Sequence, residues 1–437
     1  MTEVNLATAI HRLAKASQKG RDAAKGGDPR LEAVVRLATK SVSPAWQARE
    51  LANAAWGIAK LESVSRVPGA RDLLEAISVE ALPRLESFNA QELANLVWAF
   101  ATAGVPAPLL FEAAATLAEA RCGDYNPQET SNIVWAFATA GVSAPSLFRA
   151  LDSEAAQQMR TFAPQNMAAT VWAYAKVGVQ APQIFAAVAE EAPKKIAAFT
   201  PQALSMTAWA YATAGMRISA PRLFEEVADA APKVISSFNA MSLANMVWAY
   251  ASAKVKDAAL FEVVAEEAVG KVALCTHHDM ANIVWAFAKA GVMAPALFDA
   301  IALEVPRYVE NLKPLQLANV VWAYSKAGVS APALFDAVAV EATRNIADFH
   351  SQDLADTAWA FATAGVAAPA LFDAIAAESS KKIETFDMVD LTNTVWAYLK
   401  AGIAAPQLFD FEQAKKPKPA LLKAIAAARA DLNMLQR

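Results

Sequence analysis

Tryptophan returns along this 437-residue chain at almost equal intervals. Ten of the eleven are Trp56, Trp98, Trp135, Trp172, Trp209, Trp248, Trp285, Trp322, Trp359 and Trp396, with successive gaps of 42, 37, 37, 37, 39, 37, 37, 37 and 37 residues. A fixed period of this size marks a repeat architecture, in which one unit cannot bury its apolar face alone and must stack on its neighbours. The same text surrounds each tryptophan, as in LANLVWAFATAGV, TSNIVWAFATAGV, LANVVWAYSKAGV and LTNTVWAYLKAGI. A second phrase follows soon after, such as APALFDAIALE or APALFDAVAVE.

Each unit reads as two helices. The first often opens on a cap followed by proline, at Asn126-Pro127, Thr200-Pro201 and, with a poor cap, Lys313-Pro314. Proline suits the first helical position because its missing N–H would be unpaired there anyway. That helix stops at Gly104, Gly141, Gly178, Gly215, Gly291, Gly328, Gly365 or Gly402, where glycine takes the left-handed cap cheaply. The second opens at Pro108, Pro145, Pro182, Pro221, Pro295, Pro332, Pro369 or Pro406 and buries Leu-Phe pairs such as Leu147/Phe148 and Leu297/Phe298. A short link returns through an aromatic such as Phe88, Phe162 or Phe349, and nothing reads as a strand. The fold expected is all-α: an α-solenoid, or superhelix, of about ten two-helix repeats of 37 residues with helical caps. Residues 1–40 read as a basic N-terminal helical cap, 41–410 as the ten hairpins, and 411–437 as a Lys-rich linker and C-terminal helix.

On a helical wheel the apolar arc of the first helix spans about 200°, too wide for a helix with one buried side. Trp98 lies at the margin of that arc, and a narrow polar strip beside it holds Gln91, Asn95 and Thr102. The strip recurs. Asparagine stands three residues before tryptophan at Asn53, Asn95, Asn132, Asn245, Asn282, Asn319 and Asn393, the exceptions being Ala169, Met206 and Asp356. Four residues after tryptophan, lysine alternates with a small hydroxyl: Lys60, Thr102, Thr139, Lys176, Thr213, Ser252, Lys289, Lys326, Thr363 and Lys400.

The phrase LAN-x-VWA-[FY]-A-x-AGV with its following AP-x-LF resembles the octotricopeptide and heptatricopeptide repeats of algal and protist organellar proteins, related to the repeat regions of FAST-kinase-like and RAP-domain proteins. The resemblance covers roughly residues 41–410, and the period suits the heptatricopeptide type best. It implies an α-solenoid that binds organellar RNA in RNA processing, stability, translation or ribosome assembly. No RAP-like α/β module is visible after the array, so no activity of that module is implied.

Charge and composition frame the function. Residues 1–50 hold nine Lys/Arg against five Asp/Glu, residues 51–414 hold 24 against 37, and residues 415–437 hold six against one. Basic ends flank an acidic middle, the reverse of a duplex-binding protein. Although 56% of the chain is hydrophobic, no run of 18 apolar residues exists, so a membrane span is not expected. Two cysteines exclude a disulfide framework and suit a reducing compartment. Glu3 and Asp22 interrupt an otherwise basic amphipathic N-terminus, which leaves targeting open.

The tryptophans are read as inter-helix core, with base stacking as the alternative. The asparagines either read base edges or fix the stacking register by bonding the backbone or the next repeat. The lysines either track a phosphate backbone or cap helix C-termini. Asn95, Asn132, Lys176, Asn245, Asn282, Lys289, Asn319, Lys326, Asn393 and Lys400 are the candidate RNA-binding residues. The run Cys275-Thr-His-His-Asp279 is the one cluster with metal-ligand chemistry, and it aligns with an ordinary helix start. No glycine-rich phosphate loop, GxSxG or Cys-x-x-Cys is present, so no catalytic residue, metal, cofactor or small-molecule substrate is expected. The function expected is single-stranded RNA binding in mitochondrial RNA processing, stability or ribosome assembly, in the matrix, with chloroplast or cytoplasm as alternatives. The competing expectation is a protein-interaction scaffold or structural subunit of a large ribonucleoprotein complex.

Overall fold

The computed structural model of the chain describes residues 3–17, 29–61, 67–404 and Lys423. The described residues hold 21 α-helices and no strand. They fall into two compact units, residues 1–227 and 228–437. Apart from Lys423, the linker and helix expected at 411–437 lie outside the described residues, as does Pro406.

The first unit runs α1 (Glu3–Ser17), α2 (Pro29–Ser41), α3 (Ala48–Lys60), α4 (Ala70–Ala81), α5 (Ala90–Ala103), α6 (Pro108–Ala120), α7 (Pro127–Ala140), α8 (Pro145–Gln158), α9 (Pro164–Val177), α10 (Pro182–Lys195), α11 (Pro201–Thr213) and α12 (Pro221–Ala230), the last crossing the boundary at 227. Its tryptophan-bearing helices form one layer, α3 on α5, α5 on α7, α7 on α9 and α9 on α11, with α1 packed against α3. The other layer places α2 on α4, α6 on α8 and α8 on α10. The second unit runs α13 (Ala240–Ser252), α14 (Ala258–Val269), α15 (His277–Ala290), α16 (Pro295–Glu304), α17 (Pro314–Ala327), α18 (Pro332–Arg344), α19 (Ser351–Ala364), α20 (Pro369–Lys382) and α21 (Met388–Ala401). There α13, α15, α17, α19 and α21 stack in order, and α14, α16, α18 and α20 form the second layer. Each unit is an α-solenoid of stacked hairpins.

The helix ends follow from local chemistry. Asn126 Oδ1 accepts from the N–H groups of Gln128 and Glu129, while Glu129 accepts from the N–H of Asn126. This reciprocal box satisfies donors that no helical carbonyl can reach. Lys313, the poor cap, is compensated from within the helix, because Gln316 Oε1 accepts from its N–H at 2.8 Å. At the far end the eight cap glycines have φ between 63° and 71°. After six of them the next residue closes the turn, as where Val142 N–H donates to Phe137 C=O at 3.1 Å.

The residue after each tryptophan is a fully buried alanine, for example Ala99, Ala136, Ala286 and Ala323, which lets first helices approach closely. In α3 that place is Gly57, because α1 comes closer still: a Cβ there would lie 2.8 Å from Ile10 Cγ2 and 3.1 Å from the backbone of α1. The two layers are joined by edge-to-face aromatic pairs about 5 Å apart, Phe111–Phe137, Phe148–Tyr174, Phe298–Tyr324 and Phe372–Tyr398 among them. Where the second member is tyrosine, its buried hydroxyl donates to the backbone carbonyl of its phenylalanine partner, at 2.7 Å for Tyr174–Phe148 and 2.6 Å for Tyr324–Phe298. Burial keeps these hydroxyls protonated, holding Tyr174 and Tyr324 well above the usual phenol range.

A second tie between repeats has no counterpart in the sequence expectations. Where a second helix kinks into its closing turn, the kink residue in five repeats is basic: Arg84, Arg121, Lys195, Lys271 and Lys382. Each reaches back to carbonyls that end the preceding repeat. Lys195 Nζ donates to Arg160 C=O at 2.6 Å and to Phe162 C=O at 2.8 Å. Arg121 donates to Glu86 and Phe88, Lys271 to Ser236 and Phe238, and Lys382 to Ala347 and Phe349. A cation thus satisfies terminal carbonyls and latches one hairpin to the last. Lys195→Met is expected to lower the unfolding free energy of the first unit by about 1–2 kcal/mol, a charged hydrogen-bond pair discounted for partial exposure. In urea titrations, the neighbouring Lys194→Met, which removes only exposed pairs with Glu190 and Glu191, leaves the midpoint unchanged.

Candidate nucleic-acid interface

Positions seven and three residues before tryptophan, tryptophan itself and the position four after it share one helix face. In the first unit this face carries Gln91, Asn95, Trp98 and Thr102 on α5, and Gln128, Asn132, Trp135 and Thr139 on α7. In the second unit it carries Asn245 and Trp248 on α13, His278, Asn282, Trp285 and Lys289 on α15, Leu315, Asn319, Trp322 and Lys326 on α17, and Asn393, Trp396 and Lys400 on α21. The ten candidate residues therefore form rows, Asn95, Asn132 and Lys176 in the first unit and the other seven in the second.

The tryptophans are not enclosed as the core reading expects. All ten periodic rings are half-buried, whereas Trp46, outside the series, is fully buried. Each lies where the apolar arc meets the polar strip, so one side packs against the helix layer and the other reaches the surface. Rings of some adjacent repeats stack, at 6.1 Å for Trp98–Trp135, 6.4 Å for Trp248–Trp285 and 6.2 Å for Trp359–Trp396, with interplanar angles of 29–30°. The neighbouring lysine row meets these rings unevenly. Lys60 Nζ sits 5.7 Å and 4.7 Å from the rings of Trp56 and Trp98, and Lys289 Nζ sits 5.9 Å from both Trp285 and Trp322. Lys176, Lys326 and Lys400 are exposed, and among the described residues none of them pairs with a carboxylate.

The asparagine row also departs from its structural alternative. Asn95, Asn132, Asn245, Asn319 and Asn393 are half-buried, yet among the described residues their amides take part in no hydrogen bond with backbone or neighbouring repeat. Asn282 alone of the candidates has a partner, lying 3.1 Å from His278 Nε2, whose Nδ1 is 2.7 Å from Gln316 Nε2. The row thus offers paired donors and acceptors that the fold does not consume. The first-turn row, Gln91, Gln128, Gln165 and Gln202 in the first unit and Met241, His278, Leu315, Gln352 and Val389 in the second, is exposed along the same strip. In the first unit it is glutamine from α5 to α11, with Arg49 on α3, and in the second it varies, a signal available once the repeats are put in register.

Asp356 replaces asparagine in its row. Burial first, and Asp390 next, push its carboxyl up to about 6, while Gln352 and Lys289 pull the other way. Nearby Asp353 and Asp390 are raised in the same direction, again by burial first. The Cys-His run is a helix start. Thr276 caps α15, and Asp279 accepts from both its N–H and its hydroxyl. Burial pushes the Cys275 thiol up to about 11, away from the thiolate a metal would need. Among the described residues no three His, Cys, Asp or Glu side chains gather as metal ligands.

Residues 35–293 and 235–415 match the family described as RNA-editing substrate-binding complex 6 protein, together spanning most of both units. The chain belongs to the RNA-editing substrate-binding complex 6 protein family. No curated protein matches it. Among solved structures it is similar to a homology model of the full-length AP-3 complex in an intermediate open conformation, at 10% identity and a TM-score of 0.29, over 97% of this chain and 80% of that one. In this member of the RNA-editing substrate-binding complex 6 family, the aromatic, amide and cationic rows lie side by side along the first helices of each unit.

Asp356 makes that face sensitive to pH. Its carboxyl holds a proton more tightly in the fold than in an unfolded chain, where aspartic acid titrates near ~3.9. The stabilisation from the protonated form is complete below about pH 4 and is lost as pH rises through about 6. Asp356→Asn is therefore expected to raise the stability of the second unit by about 1–2 kcal/mol at pH 7 and to leave it unchanged at pH 4. Thermal melts at the two pH values check this, and an equal effect at both would refute it.

Proposed function

We propose that this chain is a non-catalytic RNA-binding solenoid that holds single-stranded RNA along its first-helix face, as a member of an RNA-editing substrate-binding complex in an organelle, the mitochondrion first. The observation that carries the reading is the row of half-buried amides of Asn95, Asn132, Asn245, Asn319 and Asn393, without protein partners among the described residues and set between tryptophan edges and exposed lysines. Amide edges suit the hydrogen-bonding edges of unstacked bases, ring edges suit their faces, and spaced ammonium groups suit phosphates. An acidic total does not oppose this, because local potential governs where a strand can lie. The family description, which names an RNA-editing substrate-binding complex, supports the same chemistry and a setting among protein partners.

A protein-docking role has its own support on the opposite layer of the second unit. Leu303 on α16 and Val340 on α18 stand at the same repeat position, 73% and 72% exposed. Such an apolar row suits a partner subunit and leaves the first-helix face free for RNA.

Two paired variants test the RNA reading by fluorescence anisotropy with single-stranded RNA over a salt series. Lys326→Ala with Lys400→Ala is expected to weaken binding roughly tenfold near ~0.1 M salt and to reduce the log–log salt slope by about 1–2 units. Asn245→Ala with Asn319→Ala is expected to weaken binding without changing the slope or the melting temperature, since those amides support nothing in the fold. An unmodified chain without affinity for single-stranded RNA would overturn the proposal.

A further inference from the structure

Adjacent repeats leave a recess where two first helices end. In the first unit the recess between α9 and α11 is a cavity of about 300 Å³ whose wall includes Tyr174, Gly178, Gln180 and Thr213, all uncharged. The recess between α13 and α15 in the second unit has the same construction and a volume of about 260 Å³. Its wall is built by the residues at the same repeat positions, and three have changed to lysine. Lys254 stands where the first has Gly178, Lys256 where it has Gln180, and Lys289 where it has Thr213.

One of these replacements works against the fold. Lys254 has φ 55°, and it is the one residue other than glycine with positive φ among the described residues. The equivalent place elsewhere is taken by eight glycines. The turn itself is unchanged, since Val255 N–H still donates to Tyr250 C=O at 2.9 Å as in six other repeats. A bulky side chain in this conformation is strained, and such strain is retained where a site requires it. No backbone contact in the turn needs lysine.

None of the three is tied to an acid by a close ion pair, although Lys289 acts through space on Asp356. Among the described residues, Lys254, Lys256 and Lys289 form no ion pair with a carboxylate. The adjacent carboxylate, Asp257, is occupied as the cap of α14, accepting from Leu260 N–H at 2.9 Å. Lys289 also belongs to the lysine row and lies against the rings of Trp285 and Trp322, so the recess opens beside the tryptophan ladder.

We propose that the recess walled by Lys254, Lys256 and Lys289 is a binding site for one phosphate group, supplied by the backbone of the RNA that lies along the first-helix face. The site rests on the RNA reading for the source of its phosphate and on its own geometry for its chemistry. Three ammonium donors around a cavity, next to aromatic edges, hold a phosphodiester while its base stacks outside. It anchors the strand at one fixed point of the second unit, and the unpaired lysines further along only follow it.

The test uses the full chain and the double variant Lys254→Gly with Lys256→Ser. Restoring glycine relieves the left-handed strain, so the variant is expected to melt at a higher temperature than the parent while binding single-stranded RNA roughly tenfold less tightly. Its salt slope is expected to fall by about 0.7 unit, the contribution of one phosphate contact on a single strand. Lys313→Ser, outside the recess, serves as the control for removing a charge and leaves affinity unchanged. In parallel, inorganic pyrophosphate is compared with chloride at equal ionic strength for its effect on melting. If the parent binds no RNA but pyrophosphate raises its melting temperature and not that of the double variant, the phosphate site stands and its ligand is free phosphate. If the parent binds RNA and the double variant binds it with the same affinity and slope, and pyrophosphate acts on both alike, the site is overturned while the RNA reading survives.

Discussion

Every other feature of these units depends on the burial of the first helices from two sides. A helix apolar over more than half its circumference has no stable place at a surface or in an isolated hairpin, so it needs a like helix on each flank. The buried alanine after each tryptophan sets how close the flanking helices come, and Gly57 does the same where α1 completes the row. With the small residues in the seam, the large one is displaced to its rim. Tryptophan therefore sits half-buried at the boundary of helix layer and surface, and stacks on the tryptophan of the next repeat.

Much of this could be read without coordinates, because the helix boundaries are written in residues with few conformational choices. Proline opens the second helices from α6 onward, save α14, and glycine closes most of the first, as the spacing of Pro145 and Gly141 requires. The burial of the tryptophans could not be read the same way. A wheel places Trp98 at the edge of the apolar arc but does not say how near the next helix comes, and that distance decides whether the edge is covered. The latching lysines were hidden for a different reason. Lys195 bonds residues 33 and 35 positions earlier, a separation with no local signature. The pairing shows only when the period is used as a ruler and cations are sought at one slot. Asp356 was visible as an odd member of its row, but its raised carboxyl depends first on burial and next on Asp390, both of which only folding supplies.

The charges sort themselves by layer. On the first helices, Glu92, Glu129 and Asp279 accept from the N–H of the residue before their helix, so their charge sits at helix N-termini. On the second helices, some acids pair with bases of the same helix, as Glu190 and Glu191 do with Lys194, and Glu341 with Arg344. Arg84, Arg121, Lys195, Lys271 and Lys382 are spent on carbonyls between repeats. On the first-helix face Lys176, Lys326 and Lys400 are exposed and without an ion pair among the described residues. A net charge of −4 sums over the whole chain and says little about what one face attracts.

A repeat array states its structural needs by what recurs, and its particular work by what interrupts the recurrence. Alanine after tryptophan and glycine at the helix end recur because each unit must pack and turn in the same way. The asparagine row recurs as well, but apart from Asn282 its candidate amides bond nothing among the described residues, so packing does not account for it. The interruption at Lys254 is more telling, because it opposes a local rule that eight other repeats obey and leaves the turn geometry as it was. A substitution that strains the backbone, changes no turn contact and adds a cation to a ready-made recess has its explanation outside the chain, in an anion the recess receives.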